Sequence, residues 1–132
     1  MLSILRIKGS LRRFWQRLTR GWDESDWWEL DESFIKWVTP RLKEFRLHLK
    51  GYPSSVYEEC GGFKDLRFAV DDDTDKLAML KWKSILDEMI VGFSINLSYN
   101  ETGKSSYTAD ERQIKLKNSL NLFVKYFDSL WD

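Results

Sequence analysis

Residues 71–97 read DDDTDKLAMLKWKSILDEMIVGFSINL, and this stretch decides the fold. Leu77, Leu80, Trp82, Leu86, Met89, Ile90, Phe93 and Leu97 recur at helical spacing and supply a broad apolar face. Four aspartates within Asp71–Asp75 crowd the start, where carboxylates cap free amides and face the positive end of the helix dipole. The stretch contains no proline and no strand-like alternation. A long helix is predicted from the Asp cluster to about Leu97.

The flanking sequence repeats the pattern. Downstream, Ser98 to Ser106 is a turn signal around Asn100 and Gly103, and Thr108 with Glu111 forms a capping box. A final helix from Ala109 would carry the stripe Leu116, Leu120, Phe123, Phe127 and Leu130, with Trp131 packing the C-terminus. Upstream, Asp26 and Glu29 have capping-box spacing ahead of Trp27, Leu30, Phe34, Trp37, Val38, Leu42, Phe45 and Leu49. Pro40 removes one amide from that helix and predicts a kink near Trp37, or two helices meeting there, and Gly51-Tyr52-Pro53 ends it. Residues 53–75, interrupted by Gly61-Gly62, are predicted to be one long irregular connection. The expected fold is all-α: a single-domain bundle of about four helices, the second kinked at the proline.

Residues 1–20 form a basic amphipathic helix on the same reasoning. Ile4, Ile7, Leu11, Phe14 and Leu18 make one stripe, six bases occupy the other faces, and no acid precedes Asp23. Two roles fit: a core helix with a solvated basic face, or an interaction arm for an acidic partner or a membrane surface.

Composition narrows the function. The 132 residues hold 21 Lys plus Arg against 21 Asp plus Glu, a net charge of zero that argues against a nucleic-acid coat or an acidic mimic. One Cys and one His exclude a disulfide framework and a zinc cluster within one chain. No stretch is apolar enough to span a membrane and no secretory signal is recognisable, so a cytoplasmic location is expected.

Candidate chemistry is thin. The Asp71–Asp75 cluster lacks the Gly and terminal Glu of a calcium loop, and dipole capping accounts for it. Glu29 and Glu32 make an ExxE pair, as in all-α nucleotide pyrophosphatases, but no ExxD follows. His48 and Cys60 form no recognisable dyad motif, and no phosphate-cradling glycine loop occurs. No cofactor, metal or catalytic residue is assigned.

The surplus is aromatic: 7 Trp, 5 Tyr and 8 Phe. Trp27, Trp37, Trp82 and Trp131 fall on or beside apolar stripes and are expected in a core or an interface. Trp15, Trp22 and Trp28 fit less well and, with Arg12, Arg13 and Arg17, are the candidate partner-binding residues. Arg41 borders the second stripe and is expected to pair with Asp31 or Asp87, either as a buried register-fixing ion pair or as an anion site.

Several segments resemble uncharacterised small proteins of tailed bacteriophages and prophages. They are Arg20-Gly21-Trp22, Trp28-Glu29-Leu30-Asp31, Pro40-Arg41-Leu42-Lys43 through Gly51-Tyr52-Pro53, WKSILDEMI at 82–90 and LFVKYFDSLWD at 122–132. The resemblance runs over most of the chain from residue 20 and implies a source, with no activity attached. The expected function is that of a viral accessory protein that binds and inhibits a host or anti-phage defence protein without catalysis. A sequestering binder of a nucleotide or nucleic acid is the alternative, followed by a metal-dependent phosphohydrolase; homo-oligomerisation is compatible with each.

Overall fold

The computed structural model describes residues 2–61 and 72–131, with side chains from residue 7 onward. Its described elements are all helical: α1 (Leu2–Arg20), α2 (Ser25–Trp28), α3 (Leu30–Leu47), α4 (Ser54–Glu59), α5 (Asp72–Thr102) and α6 (Ala109–Lys125). A 3-10 turn, Phe127–Ser129, closes the chain. Four of the six helices are long, and no strand occurs among the described residues.

The core is built by α3, α4, α5 and α6. Ile35, Val38 and Leu42 of α3 meet Val56 and Tyr57 of α4 and the α5 face Ala78, Trp82, Ile85, Leu86, Met89 and Phe93, with Tyr126 following α6. Phe34, Phe93 and Phe123 form a triangle of edge-on rings with centroids 5.7 to 6.3 Å apart, one ring from each long core helix. Such edge-to-face packing sets the aromatic rim of one ring against the electron-rich face of the next. Trp82 is 1% exposed and lies edge-on to Tyr126 at 5.3 Å.

Helices α5 and α6 approach closely at Gly92. A Cβ added there would fall 1.8 Å from the Ser119 hydroxyl and 2.4 Å from the Lys115 carbonyl oxygen. Glycine at this position is a packing requirement. Nearby, the Asn96 side-chain amide donates to the Gly92 carbonyl at 2.9 Å and to the Arg112 carbonyl at 3.2 Å, joining the two helices. At the start of α6 the predicted capping box is present: Thr108 Oγ1 accepts from Glu111 N–H at 3.2 Å, and Glu111 Oε2 accepts from Thr108 N–H at 3.3 Å.

Several expectations require correction. The Asp26–Glu29 box does not start the second long helix. Instead the chain breaks at Glu29, with φ −133° and ψ 76°, leaving α2 as one turn before α3. Pro40 lies inside α3, a single helical element, so two helices do not meet there. Residues 54–59 are a helix whose Val56 and Tyr57 are buried, so the predicted irregular connection is helical in its first part; residues 62–71 of it lie outside the described residues. Helix α5 extends to Thr102, five residues past the predicted end, and Gly103 at φ +69° supplies the left-handed stop. Of the four stripe tryptophans expected in a core or an interface, Trp82 enters the core, and Trp27, Trp37 and Trp131 are exposed. At the C-terminus it is Leu130, not Trp131, that packs against the core.

Candidate interaction surface

The partner-binding candidates gather around the joint between α1 and α2. Arg17 Nε donates to Asp23 Oδ2, and Arg12 donates through Nε at 3.0 Å to Glu24 Oε1. Gln16 Oε1 accepts from the Glu24 backbone N–H at 2.8 Å. The Arg13 guanidinium lies 5.9 Å from the Trp28 ring centre, and that of Arg20 stacks 3.6 Å above Trp22. Five polar residues of α1 therefore hold the turn and α2, and Gly21 at φ +80° ends α1 so that the chain can fold back.

Asp23 is the centre of this joint. It is 1% exposed, accepts from Ser25 through both backbone N–H and hydroxyl, and receives Arg17. The Ser25 hydrogen bonds and the Arg17 charge outweigh the cost of burial and hold its carboxyl at about 2. Its own N–H donates to Asp26 Oδ2 at 2.9 Å. Asp26 thus serves the joint in place of the predicted capping box. Further on, the hydrogen bond and like charge of Glu29, with Asp31 adding repulsion, raise the Glu32 pKa, so the ExxE pair forms a mutually repelling acidic patch.

Between this joint and α3 lies an open cleft of about 550 Å³ lined by Arg17, Trp22, Leu30, Phe34, Trp37 and Arg41, among others. Trp22, Leu30 and Trp37 are exposed in it. The Arg41 guanidinium lies 4.4 Å from the Trp37 ring centre and donates to the Trp37 carbonyl at 2.8 Å. A planar cation stacked on an indole is pre-ordered at little cost.

Arg41 is exposed, so the expected buried pair with Asp31 or Asp87 is corrected. Asp87 is met by Arg46, at 3.1 Å and 3.5 Å across α3 and α5, and Asp31 is exposed on the first turn of α3. The physical reason is helix rotation. The buried arc of α3 runs through Ile35, Val38, Thr39 and Leu42, which carries Arg46 toward α5 and Arg41 away from it. Trp15, Trp22 and Trp28 are exposed as expected, but Trp15 shares the α1 apolar face, four residues after Leu11 and three before Leu18.

Other polar groups have structural partners. Glu59 bridges Lys81 at 3.0 Å and Lys125 at 3.5 Å, tying α4 to α5 and α6. The Tyr52 hydroxyl donates to Asp75, and burial followed by that carboxylate raises its pKa to about 12. The His48 ring sits 2.8 Å from its own helix carbonyl at Glu44. No cluster of three or more His, Cys, Asp or Glu suited to a metal occurs among the described residues, and none of their helices is long and apolar enough to cross a membrane.

No family model, curated protein or solved structure matches the chain.

Proposed function

We propose that this chain is a non-catalytic bacteriophage accessory protein that binds a host or defence protein through the tryptophan cleft between the α1–α2 joint and α3. The carrying observation is the grouping of exposed Trp22, Leu30 and Trp37 with Arg17 and Arg41 in one concave site. Trp and Arg dominate the energetically decisive residues of protein interfaces, because each combines a large contact area with few hydrogen-bonding demands or a rigid donor fork. The phage origin rests on the resemblance of the segments quoted above, and the bacterial cytoplasm is the compartment it implies.

A nucleotide binder is the second reading, favoured by one feature of the same cleft. Lys36 and Arg41 stand there beside two indoles, with Arg17 held by Asp23 at the edge. Such a set suits a phosphate attached to a stacking base. Capture from bacterial lysate with the wild-type chain and with Trp22→Ala/Trp37→Ala separates the two, paired with thermal shift against nucleotides and magnesium. A specific protein retained by the wild type and lost by the equally stable variant, with no nucleotide shift, is expected. A nucleotide-dependent rise in melting temperature that the double variant loses favours the second reading. A magnesium-dependent rise would reopen the phosphohydrolase.

A further inference from the structure

Helix α1 is oriented opposite to a core helix. Its less exposed residues are Gly9, Arg13 and Gln16, spaced four and three apart on the polar side, while Ile7, Leu11, Phe14, Trp15 and Leu18 are between 58% and 66% exposed. The bonds of Arg12, Gln16 and Arg17 to Glu24 and Asp23 set the polar side of α1 against the joint. An apolar stripe has thus been placed outward by contacts that have their own partners.

We propose that the outward face of α1 lies on an anionic lipid bilayer, flat in the headgroup region. Three observations select that occupant. The apolar face spans about 100° of the helix, continuous from Ile7 to Leu18, which suits a plane. Its border residue Trp15 has the amphipathic ring favoured at the boundary between headgroups and acyl chains. Charge decides between bilayers. Helix α1 carries Arg6, Lys8, Arg12, Arg13, Arg17 and Arg20 with no acid; Arg12 and Arg17 are ion-paired with Glu24 and Asp23, and the rest of the chain holds fifteen bases against twenty-one acids. An anionic surface attracts the helix and repels the remaining domain, so α1 alone settles on it. Two copies pressed together through the same stripe would instead oppose two helices that both carry a net positive charge. This surface is separate from the tryptophan cleft and stands whether or not the cleft binds protein.

The test is flotation of the full chain with vesicles of equal parts phosphatidylglycerol and phosphatidylcholine, against phosphatidylcholine alone. The wild type should bind the anionic vesicles at least about tenfold more tightly, and less so as salt is raised. Leu11→Glu/Phe14→Glu should lose about tenfold or more at an unchanged melting temperature, since both side chains are exposed. Lys8→Glu should weaken binding without touching the stripe. Absence of flotation, equal binding to both vesicles, or undiminished binding by Leu11→Glu/Phe14→Glu overturns the proposal. So does sedimentation showing a dimer that Leu11→Glu/Phe14→Glu dissociates without any vesicle binding, which would make the stripe an interface between copies.

Discussion

Asp23 shows how one buried side chain sets the direction of an entire helix. Its carboxylate takes the Ser25 hydroxyl, the Ser25 amide and the Arg17 guanidinium, and the joint holds α1 by its polar side. A carboxyl lowered from 3.8 to about 2 in the folded chain stabilises it fully above the ordinary value, and that contribution fades as the pH falls from about 4 toward 2. The distance between labels at Ser10 and Lys117 should therefore be narrowly distributed at neutral pH and broaden across that interval. Asp23→Asn, which loses the Arg17 ion pair, should show the broad distribution already at pH 7. A wild-type distribution that does not respond to acid would remove Asp23 from this role. Nothing in the sequence singled out Asp23, because an Asp ahead of a helix ordinarily reads as an exposed cap. The partner of Asp87 was equally hidden: Arg41 and Arg46 both lie on α3, and only the rotation of that helix decides between them.

Helix positions were legible because apolar spacing is a strong signal over 17 residues or more, as in α5 and α6. The buried arc of each helix was not. In α6 the predicted stripe ran through Leu120 and Phe127, whereas Ser119 and Tyr126 are buried and Phe127 is exposed. The cause is Gly92, where the backbones of α5 and α6 approach so closely that only a small side chain fits opposite. Hydropathy rewards size, and here the packing demanded smallness. Gly92→Ala places a methyl against the backbone at Lys115, which cannot move aside as a side chain would. The substitution should destabilise the fold by about 3 kcal/mol, with the melting temperature falling by roughly 10 °C. An unchanged melting temperature would mean the two helices are farther apart than described. By contrast, the Thr108–Glu111 box was readable because it is local, needing only residues three apart.

Across the whole molecule, stability and surface are divided along the chain. Residues 30–131 supply the described hydrophobic core, with Phe34, Phe93 and Phe123 at the meeting of three helices and Glu59 clasping α4 to α5 and α6. Residues 7–28 supply exposed aromatics, and their principal contacts are polar ones at the joint. The sequence left the basic first helix open between core and arm, since amphipathicity alone does not say what the apolar side will meet. With α1 as an outward-facing arm, the rest of the domain folds without it. The most direct measurement is thermal unfolding of the chain lacking Met1 to Thr19, followed by circular dichroism. A cooperative transition within a few degrees of the full chain's, with core helicity retained, is the expected result; a truncated chain that fails to fold would show that α1 belongs to the core and is no arm.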